Sequence, residues 1–203
     1  MHLPSTSRLD AAGTAPVAIL LAELMRRYGV MGIQGGLLEL HHLAWLLSRA
    51  TARLASGLSL GLRFEANRYG PQAFGLVKQL ESVEGVYLCC ERPLRTAVPL
   101  DDIWFNDVQR PALQTELQRL GEPWLVALDD TRQLIDGFES PFGLELLAGV
   151  DWLLARTGVA TGVDSVRAAL KAWPLPGAGE RKARVFDERA IGMALDRLEA
   201  AHA

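Results

Sequence analysis

Three stretches of the chain hold residues whose types and spacing could do chemistry. Gly57-Leu58-Ser59-Leu60-Gly61 matches the G-x-S-x-G nucleophile elbow. That motif lifts its serine above a sheet only as a strand–turn–helix, and its histidine must follow later in the chain. Here a predicted helix precedes the motif, an extended piece follows it, and the only later histidine is His202. The stretch reads as a loop that ends a helix. His41 and His42 are neighbours on a predicted helix, about 100° apart around its axis. They are not the i, i+4 pair that shares one metal-binding face, so one is expected to pack and the other to be exposed. His2 and His202 lie near the ends, and no cysteine or histidine spacing suits zinc. Gly32, Gly35 and Gly36 fail the G-x-G-x-x-G spacing of a dinucleotide loop. No catalytic constellation, metal or cofactor is expected.

Carboxylates are the remaining chemical feature. Asp136–Trp152 reads DGFESPFGLELLAGVDW. Ser140 is a good N-cap, with Pro141 behind it at the first helical position. Leu144, Leu147, Val150 and Leu154 recur near helical spacing. Asp136, Glu139, Glu145 and Asp151 have no basic residue among them. A second acidic run, Asp101-Asp102-Ile103-Trp104-Phe105-Asn106-Asp107, sets aromatic rings among carboxylates. That mixture can imitate nucleic acid, carboxylates standing for phosphates and rings for stacked bases. Residues 81–151 carry 14 acidic and 5 basic side chains, against 4 and 8 in residues 1–80. If these acids gather on one surface they project a negative field that draws a basic partner and repels nucleic acid. Arg181, Lys182 and Arg184 form a weak basic cluster that reads as a solvated face.

The elements that must carry these residues are mostly helices. Val17, Leu20, Leu21, Leu24, Met25 and Tyr28 predict a first helix, and Leu40, Leu43, Leu47 and Leu54 a second. Leu60–Glu65 reads as extended, and Tyr69-Gly70-Pro71 as a turn launching a helix through Phe74, Val77 and Leu80. Val86–Cys90 and Val98–Trp104 read as strands. Helices follow over Pro111–Leu120, Asp129–Phe138, Ser140–Arg156, the Val163–Trp173 stripe, and from Asp187 through Leu198, with Pro174–Gly179 a loop. The expected fold class is mainly α with a small β-sheet (α+β), winged-helix-like in its N-terminal half around Leu38–Cys90.

At 203 residues and 49% hydrophobic content the chain suits one domain, read as a flexible leader (1–13) and a single partner-binding domain (14–203). Cys89 and Cys90 are adjacent on a predicted strand, so they point to opposite faces and suggest a reduced, cytoplasmic setting. Val17–Ala22 is too short to span a bilayer, so no membrane partner is expected.

Four segments together resemble one family: Leu38–Leu47 (LELHHLAWLL), Arg63–Gly85 (RFEANRYGPQAFGLVKQLESVEG), Asp136–Trp152 and Val185–Leu198 (VFDERAIGMALDRL). The chain resembles the C-terminal, toxin-neutralising domain of DarG-type macrodomain antitoxins of the DarT/DarG toxin–antitoxin system. The likeness runs over roughly residues 17–200. The resemblance implies a domain that blocks a DNA ADP-ribosyltransferase toxin by occupying its single-stranded-DNA site as a mimic. The ADP-ribose-removing macrodomain of that family has no motif here, so the chain is expected not to be an enzyme. The departures are His42 where the family usually has lysine, Gln72 where a tyrosine follows Gly-Pro, and Gly149-Val150-Asp151 in place of Thr-Val-His. Expected toxin contacts are Asp101, Asp102, Trp104, Asp107, Asp129, Asp130, Glu139 and Glu145, with Arg68, Tyr69 and Gln72 as a second set. Direct nucleic-acid binding is not expected. The alternative is a winged-helix-like DNA-binding regulatory module, argued from the basic ends.

Overall fold

A computed structural model describes residues 16–30, 35–54, 57–99 and 101–201. The expected leader, residues 1–13, and both His2 and His202 lie outside the described residues. Helix α1 (Pro16–Val30) buries Val17 to Met25 without interruption. Helix α2 (Leu37–Arg53) is almost as fully buried. A helix apolar on all sides belongs inside a core, and α2 is the central rod. It packs against α5 (Glu122–Ile135), α6 (Pro141–Thr157) and the strand β3 (Gly70–Phe74). Its start is closed by a buried 2.7 Å hydrogen bond from the Gly36 N–H to the Glu39 carboxylate. Helix α6 starts as its sequence demands: the Ser140 hydroxyl accepts from the Gly143 N–H, with Pro141 behind it.

The sheets are small and antiparallel. One orders its strands β1 (Gly35–Gly36), β5 (Asp102–Phe105), β4 (Leu88–Cys90), with Gly35 opposite Ile103 and Leu88 opposite Phe105. The other is a hairpin of β2 (Arg63–Asn67) and β3, in which Asn67 faces Gly70 across the two-residue turn Arg68-Tyr69. Short α3 (Leu76–Leu80) follows, then α4 (Arg110–Leu120), α7 (Val163–Lys171), α8 (Ala178–Val185) and α9 (Glu188–Ala200) after α6. The fold is mainly α with small sheets, in the expected class. Among the described residues no helix is long and apolar enough to cross a membrane.

Local expectations fail where packing outweighs pattern. Gly70–Phe74 is a strand, not a helix start, because it lies against α2 and α6 and buries Gly70, Pro71 and Ala73 there. Proline donates no hydrogen bond, which suits a hairpin edge. Around Leu38–Cys90 the helix that leads into the hairpin, α2, is buried along most of its length, and β1 pairs with β5 while the hairpin forms a sheet of its own. Residues 178–185, partly expected as loop, form α8, which starts after Gly177 at a φ of 71°.

Two helical glycines test this packing in opposite directions. A Cβ on Gly179 would stand 2.0 Å from the Lys171 carbonyl oxygen, whereas one on Gly149 meets nothing within 4 Å. Gly149→Ala is expected to stabilise the fold by about 0.5–1 kcal/mol through backbone entropy. Gly179→Ala is expected to destabilise it by about 1–3 kcal/mol through overpacking. Urea unfolding midpoints of the two variants check both signs.

Candidate partner-binding site

The β2–β3 turn is held by side chains far away in sequence. The Asn67 carbonyl accepts from the Trp173 indole N–H at 2.8 Å, and the Tyr69 carbonyl from the Lys182 ammonium at 3.2 Å. Asn67 and Gln72 hydrogen-bond to each other through their side-chain amides. Lys182 is fully buried on α8, 2.8 Å from the Glu145 carboxylate and over the Trp173 ring at 4.6 Å. Arg181 takes both Glu145 oxygens, at 2.5 and 2.8 Å, and lies over the Tyr69 ring at 4.8 Å. Burial pulls the Lys182 ammonium below the usual lysine range, and Glu145 works against that pull.

Both histidines of α2 are buried beneath this turn, where only one was expected to be. A Cβ on Gly70 would come 2.7 Å from His42 Nε2, so only glycine lets the turn rest on the imidazole. Burial, with Lys182 nearby, holds His42 down at about 3. Burial alone holds His41 at about 4. Both rings are therefore neutral near pH 7. The His41 Nδ1 accepts from the Ala73 N–H at 3.2 Å.

A hollow of about 200 Å³ opens beside the turn. Leu37, Leu38, Pro71 and Pro99 give it apolar walls, and His41, Arg68, Tyr69 and Gln72 its polar ones. Arg68 is exposed, and its guanidinium makes no hydrogen bond or ion pair among the described residues. The structure thus brings Arg68, Tyr69 and Gln72 together. It also brings together the four sequence segments of the resemblance. His41 and His42 come from the first, Arg68–Gln72 from the second, Glu145 from the third, and Phe186, 5.6 Å from Lys182, from the fourth. Arg181 and Lys182, read from sequence as part of a solvated basic face, are instead the cations of Glu145, with Lys182 fully buried, and Trp173 and Asn67 were not named as site residues. The available signal was Glu145 itself, an acid inside an apolar helix, which requires a cation from elsewhere.

The carboxylates do not converge into one patch. Glu145 and Asp101 are buried; Asp101 accepts from the Val98 N–H at 2.9 Å and faces Arg92 at 3.5 Å. Asp151 pairs with Arg49 at 3.1 Å. Asp129 pairs with Arg132 at 2.7 Å, and that hydrogen bond holds its carboxyl below the usual range. Asp130 lines a hollow with Arg53 and Arg197. Glu139 accepts from the Gly137 N–H and sits with Asp136 in a cleft of about 670 Å³ whose other charges are Arg26, Arg27, Arg110, Arg132 and Arg197. Asp102 and Trp104 stay together as an outward ledge, and Asp107 is exposed beyond the end of the strand, within electrostatic reach of Arg26. Ile103 and Phe105 point inward, which turns Asp102 and Trp104 out, and Trp104 is 40% exposed. The ledge adjoins the hollow, since Asp102 pairs with Gly36 and Leu37 follows it. Among the described residues no group of three or more His, Cys, Asp or Glu could hold a metal ion.

No family model matches the chain. It is similar to curated proteins named DNA ADP-ribosyl glycohydrolase. The protein from Mycobacterium tuberculosis is 27% identical over 171 residues, which is 79% of this chain and 43% of that protein. The protein from Thermus aquaticus is 31% identical over 192 residues, 90% of this chain and 46% of that protein. The chain spans less than half the length of these relatives. They bear out a relation to the DarG type. They overturn the expectation of a non-enzyme, because the proteins matched over most of this chain carry the name of a glycohydrolase.

Two outcomes test the buried cluster. Lys182→Met leaves the Tyr69 carbonyl without its donor and removes one of the two cations on Glu145. The expected loss is about 3–5 kcal/mol of stability, as for one half of a buried pair, read from urea midpoints. The histidines set a pH dependence. Their folded pKa values, about 4 and about 3, lie below the ordinary 6.5, so the unfolded chain binds protons the folded one refuses. Their contribution is complete above pH 6.5 and shrinks as pH falls to about 4 for His41 and about 3 for His42, with an uptake on unfolding approaching about two protons near pH 5. The slope of unfolding free energy against pH reads it, and His42→Gln should remove about half.

Proposed function

We propose that this chain engages a toxin: it binds and inhibits a DNA ADP-ribosyltransferase, as the toxin-binding part of a DarG-type antitoxin. The observation that carries this reading is the convergence of the four resembling segments on one rigidly held turn and hollow. A turn fixed before binding loses little conformational entropy on contact. Tyrosine and arginine on such a frame are the residue types that dominate interfaces. The Asp102–Trp104 ledge, with Asp107 beyond the end of its strand, supplies the second contact. There a ring between carboxylates occupies a toxin groove suited to phosphates and bases, and DNA mimicry narrows to these three residues. The toxin acts on DNA, so the pair meets in the cytoplasm. A second reading, removal of ADP-ribose from DNA, is favoured by the relatives' printed name.

Co-expression with a DNA ADP-ribosyltransferase toxin is expected to restore growth and to yield a co-purifying complex. Arg68→Glu and Tyr69→Ala should each weaken the complex by about 30-fold or more, the size of an interface hot spot. Asp102→Lys with Asp107→Lys should slow association and reduce its salt dependence. Growth arrest despite expression of folded chain, with no complex, would refute the toxin-binding reading. Release of ADP-ribose when the isolated chain meets a modified single-stranded oligonucleotide would establish the second. A shift of unmodified oligonucleotide at physiological salt would instead favour a DNA-binding module.

A further inference from the structure

We infer that the hollow beside the β2–β3 turn is a binding site for a single aromatic ring carrying a carboxylate, of the kind an aromatic residue next to an acidic one presents on a protein partner. At about 200 Å³ it is smaller than the roughly 300 Å³ at which pockets for whole small molecules begin, and it suits one side chain. Its floor and sides, Leu37, Leu38, Pro71 and Pro99, are apolar, so a hydrated anion without an apolar body would lose water there without recompense.

The hollow presents two donors, on His41 and Arg68, that have no acceptor among the described residues. His41 is 7% exposed. Its Nδ1 already accepts the Ala73 N–H, so the neutral ring carries its proton on Nε2. No acceptor for that proton exists among the described residues, although the ring lines the hollow. Arg68 stands at the rim, and its guanidinium has no partner among the described residues. The competing groups are occupied. The Asn67 and Gln72 amides bond to each other, and the carbonyls of Asn67 and Tyr69 are taken by Trp173 and Lys182. A cationic occupant would face Arg68, and among the side chains of the lining only the Tyr69 hydroxyl would be left to accept from it. An aromatic acceptor finds apolar walls for its ring, a fixed N–H inside and a guanidinium outside, and arginine binds carboxylate in matched geometry.

The site rests on the toxin-binding reading only for who supplies the ring, so the test begins with the chain alone. Phenylacetate is titrated into the isotope-labelled chain, with acetate and 2-phenylethylamine as controls, and the His41 imidazole and the Gly70 and Gln72 amides are followed by NMR. Saturable shifts of these three groups with phenylacetate are expected, with at least tenfold weaker binding of both controls. Arg68→Gln should weaken phenylacetate several-fold at an unchanged thermal midpoint, and Leu38→Trp, which fills the hollow, should abolish binding. Absence of saturable shifts, or equal binding of phenylacetate and 2-phenylethylamine, would overturn the site whatever the toxin does. If Leu38→Trp folds and excludes phenylacetate yet neutralises toxin at full strength, a partner's ring is not the occupant. Loss of neutralisation in that folded variant supports the whole assignment.

Discussion

Glu145 is the residue around which the rest of this architecture is arranged. It sits in the middle of an apolar helix with no cation near it in sequence, and a lone carboxylate there would be strongly disfavoured. The fold answers by bringing α8 across α6, so that Lys182 reaches the carboxylate from a fully buried position and Arg181 grips both its oxygens from the rim. A buried ion pair contributes little net stability compared with an apolar substitute, but breaking it is expensive. Its consequence here is registry. Lys182 has donors left over, and one goes to the Tyr69 carbonyl, so the ion pair that seats α8 also fixes the hairpin turn. Arg181 covers the Tyr69 ring from the other side.

The same logic governs the other charges. Asp151 meets Arg49 of α2, Asp101 meets Arg92, and Glu23 of α1 is held below the usual range by Arg26 and Arg27 against the opposing effect of burial. A linear tally that finds an acidic middle third is correct as arithmetic and misleading as a field. The counter-ions that fold over it from outside include Arg49, Arg181 and Lys182. Surface pairs such as Arg132 with Asp129 contribute little to stability, but they erase the long-range negative potential that a decoy surface would need. What survives is local: the Asp102–Trp104 ledge, where strand alternation turns these two residues outward.

Legibility in the sequence followed the range of the forces involved. Local signals read correctly. The Ser140-Pro141 start of α6, the Asp187 cap of α9 and the apolar rods α1 and α2 all depend on residues within a turn or two of each other. The Tyr69-Gly70-Pro71 segment was legible as a turn but not as the tip of a hairpin, because strand β3 is dictated by the α2 and α6 surfaces it covers. Helix α8 was hidden by two glycines with different roles: Gly177 takes the left-handed turn before it, and Gly179 allows the close approach to Lys171. Of the proposed contacts, Arg68, Tyr69 and Gln72 come together, while Glu145 and Asp101 are internal counter-ions. The partners that decide this lie 36 and 37 residues from Glu145, and no local pattern announces them.

The places where this chain departs from the DarG-type pattern acquire a physical meaning from this geometry. Position 42 lies beneath the turn and beside Lys182. A lysine there would set a second ammonium near the one already committed to Glu145, whereas a neutral imidazole adds no charge and offers a flat face for the Gly70 backbone. The substitution at 42 is thus consistent with Lys182 being the cation that serves the carboxylate. Position 72 is a wall of the hollow, and Gln72 is tied back to Asn67. A tyrosine there would bring a bulky ring and a hydroxyl to the same wall, so the residue at 72 sets the room left for an occupant. Position 151 carries a carboxylate matched by Arg49 across α2 and α6, which confines that change to the core. Two of the three departures therefore cluster at the turn and one is absorbed by packing. On the toxin-binding proposal, specificity between related pairs is a difference in affinity set by such fitted positions: position 72, which lines the hollow, bears on it directly, and position 42, fully buried, acts only through the turn above it.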